Sequence, residues 1–327
     1  MRHMNKNILT VAGLSVLLLT QTTLTSCGEK ELCYTHPHGR QVSVQFDWRH
    51  APDARPVSMS LYLFPMDGES SAQYEFAGRK GGMIDLSPGS YGALCANDDS
   101  PRNYFRNTNS RKTFEVYTRE VRTLEGVDEL ISNLPRAKDA GDEPVVHEPD
   151  SVWCDVTQSP FVLPGVRDSV SLPHALTLYP RPLFRTCTVE IQNVENLKYT
   201  RGTLSATLSG LSGGVMVASG VPTDERVTVP FILHSRDTTT LVGSFRTFGY
   251  TPGKQASHRL VVYATLRDGG RRYFTYDVTS QVRNSTDPLH IHIVLDKLPL
   301  PKAISGGDGL KVTLGKWKDG GTIPIKL

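Results

Sequence analysis

Apolar and polar residues alternate with a period of two in one short run after another, and Gly, Pro, Asn or Asp punctuates most of the gaps. No other feature constrains the fold as much. A strand sends successive side chains to opposite faces, whereas a helix repeats every ~3.6 residues. Val42-Ser43-Val44-Gln45-Phe46 alternates, and residues 56–65 do the same with Met59, Leu61 and Leu63 on one side. Residues 81–98 read as strand, Pro-Gly turn, strand. Further alternating runs occupy 185–194, 202–211, 226–233, 239–249, 259–279 and 289–298. The fifth of these folds back at Asp268-Gly269-Gly270, a strong hairpin signal. One short helix is expected over 124–134, stopped by Pro135, followed by a polar loop at 136–149. Many short strands with almost no helix specify an all-β protein built from antiparallel sandwiches.

The chain is long for one such sandwich and comfortable for two. Prolines crowd at 160, 164, 173, 180 and 182, which places a boundary there. The expected organisation is a signal segment at 1–26, sandwiches at 27–165 and 166–300, and a strand-like tail at 301–327. Within the tail, 310–317 and 322–327 alternate, and Pro324 lacks a donor, which suits a sheet edge. Two readings stand: edge strands of the second sandwich, or a strand that adds to a neighbour's sheet.

The start of the chain is basic at Arg2, His3 and Lys6, then almost unbroken in apolar character from 8 to 19. That is the length of a signal-peptide core and too short for a membrane span of about 20 residues. It ends in Leu24-Thr25-Ser26-Cys27, which resembles a bacterial lipobox, so Cys27 is expected to be acylated and to become the mature N-terminus. Glu29 and Glu31 around Lys30 resemble the acidic signals that send Bacteroidetes lipoproteins to the outer face of the outer membrane. Lipidation removes one of five cysteines. Cys33, Cys95, Cys154 and Cys187 then permit two disulfides in an exported chain, or stand as buried free thiols.

Cys27, Cys33, His36 and His38 look like a metal array, yet Cys27 is committed to lipid and three ligands fall short of a structural site. No metal is expected there. Gly210-Leu211-Ser212-Gly213-Gly214 matches a nucleophile elbow, but that motif needs a helix after the serine, and Val215-Met216-Val217 reads as strand. His290 and His292 share one strand face, which is more simply a solvated face than a metal site. No phosphate loop, zinc spacing or other cofactor motif is present. Neither is a basic block interleaved with aromatics, and the formal charge of +3 falls to +1 without Arg2 and Lys6. The sequence therefore offers no catalytic constellation, no cofactor and no nucleic-acid partner.

The order "LCYTHPHG", "VSVQFDW", "DLSPGSYGALCAND", "TLSGLSGGV", "GSFRTFGY", "LRDGGRRYFTYDVTSQV" and "GGDGLKVTLGKWKDGGTIPIKL" resembles Bacteroidales lipoproteins of the fimbrillin-like superfamily. The resemblance implies two transthyretin-like sandwiches and a place in or beside type V pili, where a strand of one subunit completes the sheet of another. It also implies an anchor or accessory subunit. Shaft subunits of that family lose their lipid and first strand by cleavage after an arginine, and Arg40 stands where such a cut would fall. Bacteroidetes O-glycosylation motifs are matched at Ser151, Ser169 and Thr238, of which at least one is expected to be used.

The competing function is a surface glycan-binding lipoprotein of a polysaccharide-uptake system. Sugars stack on exposed aromatic rings, and Trp48, Trp153 and Trp317 are the three tryptophans available. Two exposed aromatics side by side would favour glycan; a removable edge strand would favour the pilus.

Overall fold

The computed structural model describes residues 39–68, 70–127, 129–165, 174–251, 257–304 and 313–325. The first half supplies β1 (Arg40–Phe46), β2 (Ser58–Pro65), β3 (Ala72–Ala77), β4 (Gly81–Leu86), β5 (Gly89–Ala96), β6 (Tyr104–Arg106), β7 (Glu115–Tyr117), β8 (Trp153–Val156), β9 (Phe161–Leu163), β10 (His174–Leu178) and β11 (Arg181–Pro182). The second supplies β12 (Arg185–Glu195), β13 (Leu204–Ser212), β14 (Gly214–Met216), β15 (Val221–Pro222), β16 (Arg226–Ser235), β17 (Leu241–Thr247), β18 (Arg259–Thr265), β19 (Arg271–Asp277), α1 (Thr279–Arg283), β20 (His290–Pro299) and β21 (Trp317–Ile323). Residues 41–327 belong to one compact unit.

Alternation works as expected in β1: Val42, Val44 and Phe46 are buried while Gln41 and Gln45 face out. They enter a core between the sheet β10-β1-β4 and the sheet β11-β8-β5-β2-β3, which β9 joins alongside β5. β4 and β5 therefore sit in different sheets, and Pro88 marks a corner between layers. β10 runs parallel to β1, and its Leu176 and Leu178 close the first core. The sheets of the first half thus reach to Pro182, past the expected division at 165/166.

β2 is buried on both faces, not one. Met59, Leu61 and Leu63 face the first core, while Tyr62 and Phe64 meet a third layer, the sheet β15-β14-β7-β6. That sheet draws two strands from each half of the chain. With Phe114, Val116, Val215 and Val217 it forms a second apolar cluster against the six-stranded sheet.

Apart from β14 and β15, the strands of the second half form one sheet, ordered β20-β12-β17-β16-β13-β18-β19-β21, whose inward side chains join a single core. The Asp268-Gly269-Gly270 hairpin forms as read, with Gly269 at φ +83 and Leu266 N–H donating to the Gly270 carbonyl. Most pairs are antiparallel, but β1–β10, β12–β20 and β19–β21 are parallel. In each case the partner arrives from far along the chain.

The helix expected over 124–134 does not form; one 3-10 turn, Ile131–Asn133, stands in its place. Gly126 at φ +78 breaks the segment, and the Glu125 carbonyl is taken by the Ser205 hydroxyl. Leu124, Val127, Ile131 and Leu134 are buried nonetheless, with Val261 and Tyr263 on the outer face of β18. Their spacing records a surface to be covered rather than a helix. The connection from β7 to β8 is thus a strap over half of the second sheet. Tyr263 hydroxyl donates to the Pro135 carbonyl at 2.7 Å, and the Arg136 guanidinium reaches Thr228 Oγ1 at 2.9 Å. Glu143 pairs with Arg226 at 2.6 Å and accepts from Gly210 N–H at 2.9 Å. Burial still leaves its carboxyl above the ordinary range.

Candidate assembly edge

The second sheet has two ends, and they are finished differently. At one end lies β20, whose one strand partner among the described residues is β12, with Ile291, Ile293 and Leu295 pointing inward. Its outward backbone is plugged at Val294: Gln281 of α1 donates to the Val294 carbonyl at 2.9 Å and accepts from its N–H at 2.8 Å. Ser285 hydroxyl and the Asp287 carbonyl occupy the backbone of His290. An incoming strand needs a continuous ladder, so a plug in mid-strand rules out addition there.

At the other end, the outer side of β19 is covered by β21, in parallel register from Arg271↔Trp317 to Tyr276↔Ile323. Of the two strand-like runs expected in the tail, 310–312 and 326–327 lie outside the described residues; the described residues of the tail form one strand, β21, which overlaps the end of the first run and the start of the second. Its residues 318–322 are exposed. Trp317 is half-buried, its ring edge-on to Tyr263 with centroids 5.5 Å apart, and its Nε1 donates to Glu129 Oε2 at 2.9 Å. The same oxygen accepts from Arg271 at 2.7 Å. Gly320 lies against the Phe274 ring, and a Cβ there would enter the ring; the register shifts at this point. Beyond it Ile323 and Ile325 pack on the second core.

Cys27, Cys33, His36, His38 and Ser169 lie outside the described residues. Arg40 is the first residue of β1. Cys95, Cys154 and Cys187 are free, buried thiols. Ala96 is the residue paired with Cys154 across β5–β8, so Cys95 points to the opposite face, and the two sit in different clusters. Cys187 lies in the second core. The disulfide alternative therefore does not hold among these three. Burial pushes the Cys154 and Cys187 thiols up to about 12, and Cys95 well above its ordinary value. Such thiols are poor nucleophiles.

Ser151 is half-buried beside Asn97, which donates to its carbonyl at 3.1 Å, whereas Thr238 is exposed in the turn between β16 and β17. Ser212 ends β13, buried, its hydroxyl against the Gly214 and Thr223 carbonyls, and β14 follows. His290 contacts Asp287 at 2.8 Å and His292 contacts Thr188 at 2.7 Å, both on the exposed face.

Two aromatics do stand side by side. Tyr104 and Tyr117 are paired across β6–β7, 5.9 Å apart. Arg119 lies over the Tyr104 ring at 3.7 Å and Arg106 over the Tyr117 ring at 4.6 Å, so a guanidinium already occupies one face of each. Trp48 is buried under Arg79, edge-on to Trp153. Sequence reasoning missed Glu129 and Gln281, which look like ordinary polar residues, and Gly320, which falls between the two alternating runs of the tail.

Residues 26–232, more than half of the chain, match the family described as DUF5119, a domain of unknown function. A protein of Bacteroides ovatus ATCC 8483, provisionally named the fimbrium anchoring subunit Fim4B, is 25% identical over 141 residues, 43% of this chain. That stretch spans 38% of the relative's own length. A crystal structure from the same strain, provisionally described as an adhesin, overlaps with TM-score 0.59 at 17% identity, covering 85% of this chain and 99% of that one. The fimbrial anchor protein Mfa2 of Porphyromonas gingivalis overlaps with TM-score 0.49 at 14% identity, over 79% and 90%. The chain belongs to the DUF5119 family.

Proposed function

We propose that this chain is a structural subunit of fimbriae, of the anchoring or accessory kind, working in assembly and adhesion at the cell surface. Similarity to the provisionally named anchoring subunit supports it. The observation that carries the anchoring reading is the position of Arg40. A cut after it would leave Val42, Val44 and Phe46 in the first core, so β1, the first strand among the described residues, would stay. A shaft subunit of the fimbrillin-like type gives up its first strand, and retention of β1 favours the anchoring kind. Acylation at Cys27 after removal of 1–26 would fasten the chain to the outer membrane. Two sandwiches remain the organisation we favour, with the seam moved to about 183 by the strand partners of β10 and β11. The tail is the strand best suited to exchange with another fimbrial subunit, because most of its side chains are exposed.

Fractionation of the producing cells tests both ends. Deleting 310–327 should leave the melting temperature nearly unchanged and abolish co-purification with fimbrial subunits. Unfolding of the second sheet would instead make the tail structural only. Cys27→Ala should move the protein from membrane to soluble fractions, and unchanged fractionation would end the lipid-anchor reading.

A further inference from the structure

We propose that Glu129, carried by the strap, is a clamp on the groove beside β19, and that it selects for a strand led by tryptophan. The inference rests on the strand-exchange reading for its partner, which is the identical tail of a second copy of this chain. Side chains of 318–322 are exposed, with Asp319 reaching Tyr273 at the surface, so buried recognition falls on the two ends of β21 and on Gly320.

At the first position three groups converge. Tyr263 gives an aromatic wall, Arg271 places its guanidinium 5.3 Å from the indole centroid, and Glu129 Oε2 accepts the indole N–H. The indole fills this seat and donates at its edge, whereas phenylalanine fills it without the donor. Three residues on, Phe274 admits only glycine. Three further, Ile323 packs on the second core. The groove thus reads Trp, then Gly, then Ile at intervals of three. Its selecting carboxylate lies 188 residues from Trp317 in sequence, on a segment that also covers Val261 and Tyr263. Occupancy of the groove is therefore tied to the seating of the strap.

Hydrogen exchange of amides 317–323 in the full-length protein tests the clamp. Trp317→Phe and Glu129→Ala should each speed exchange about tenfold, as expected for loss of one hydrogen bond to a charged acceptor. The double variant should exchange no faster than the faster single, because both remove the same bond. Glu129→Gln, which keeps an acceptor oxygen at the same reach, should restore most of the protection. Additive effects in the double variant, or unchanged exchange in either single, overturn the clamp. A labelled peptide of residues 313–325, added to the full-length protein, tests the partner. The native peptide should enter the groove about tenfold better than its Trp317→Phe form, and equal entry overturns the selectivity. Coupled exchange with no entry by the native peptide would leave the clamp standing and remove strand exchange from the proposed function.

Discussion

The two ends of the second sheet solve one problem in opposite ways. An unpaired strand edge invites a foreign strand, so proteins cover or interrupt it. At β20 the cover is local: α1 follows β19 directly, and one amide, Gln281, satisfies both outward groups of Val294. At β19 the cover is a whole strand from the far end of the chain, seated by a tryptophan against a carboxylate from the first half. A plug made of a side chain ends the sheet. A cover made of a strand leaves, when lifted, a ready template of the same kind. The contrast shows which edge can take part in assembly.

The largest effect should come from acid, and at the β20 end. His258 is fully buried beneath α1, its N–H bonded to Thr279 Oγ1 and its carbonyl to Val278 N–H. Burial holds its imidazole down at about 4 from an ordinary 6.5; Arg283 and Arg226 push the same way, the Ser209 carbonyl and Asp277 the other. Between those values the unfolded chain binds a proton that the folded chain refuses, so stability falls as pH drops from 6.5 towards 4. The full loss is about 3 kcal/mol. Melting temperature against pH should show that slope, and His258→Phe should flatten it. Amides of α1 and β20 should lose protection in acid before those of β21; simultaneous loss would break the comparison.

Next in size is Gly320→Val. Its side chain would enter the Phe274 ring, an overpacking that costs about 2 kcal/mol, enough to speed exchange of 317–323 about thirtyfold. The effect should stay local, with β20 amides unchanged. If the whole sheet loosens, β21 is integral to it and the two ends are alike.

The smallest is Gln281→Leu. Losing two exposed hydrogen bonds should cost about 1 kcal/mol and speed exchange at Val294 roughly fivefold. It would also unplug the β20 edge, so light scattering should detect self-association absent from the parent protein. A monomeric variant with an unprotected Val294 would mean that the plug serves stability and not exclusion.

Much of the architecture was legible in the residues themselves. The alternation in β1 and β12, the Asp268 hairpin and the near absence of helix follow from which side chains can be buried on a pleated ribbon. The candidate edge was half legible: the tail announced a strand, and Pro324 an edge. Its seat was not, because Glu129 has no local pattern that marks it. The same holds for the connection at 124–134, whose apolar spacing suited a helix until Gly126 and the outer face of β18 supplied a different use for it.

β13 shows where the division falls. Leu204-Ser205-Ala206-Thr207-Leu208-Ser209 alternates without fault, and sequence alone determined that leucine and alanine face the core. It also suggests that Ser205, Thr207 and Ser209 face water, and there the tertiary structure decided otherwise: all three are buried. The strap covers Ser205, whose hydroxyl donates to the Glu125 carbonyl; Thr207 meets Tyr263, and Ser209 lies against Arg259. Period and polarity are properties of neighbours in sequence, so one segment is enough to reveal them. What lies over a polar face depends on hydrogen-bond partners contributed by distant segments, and these are brought together only when the chain folds.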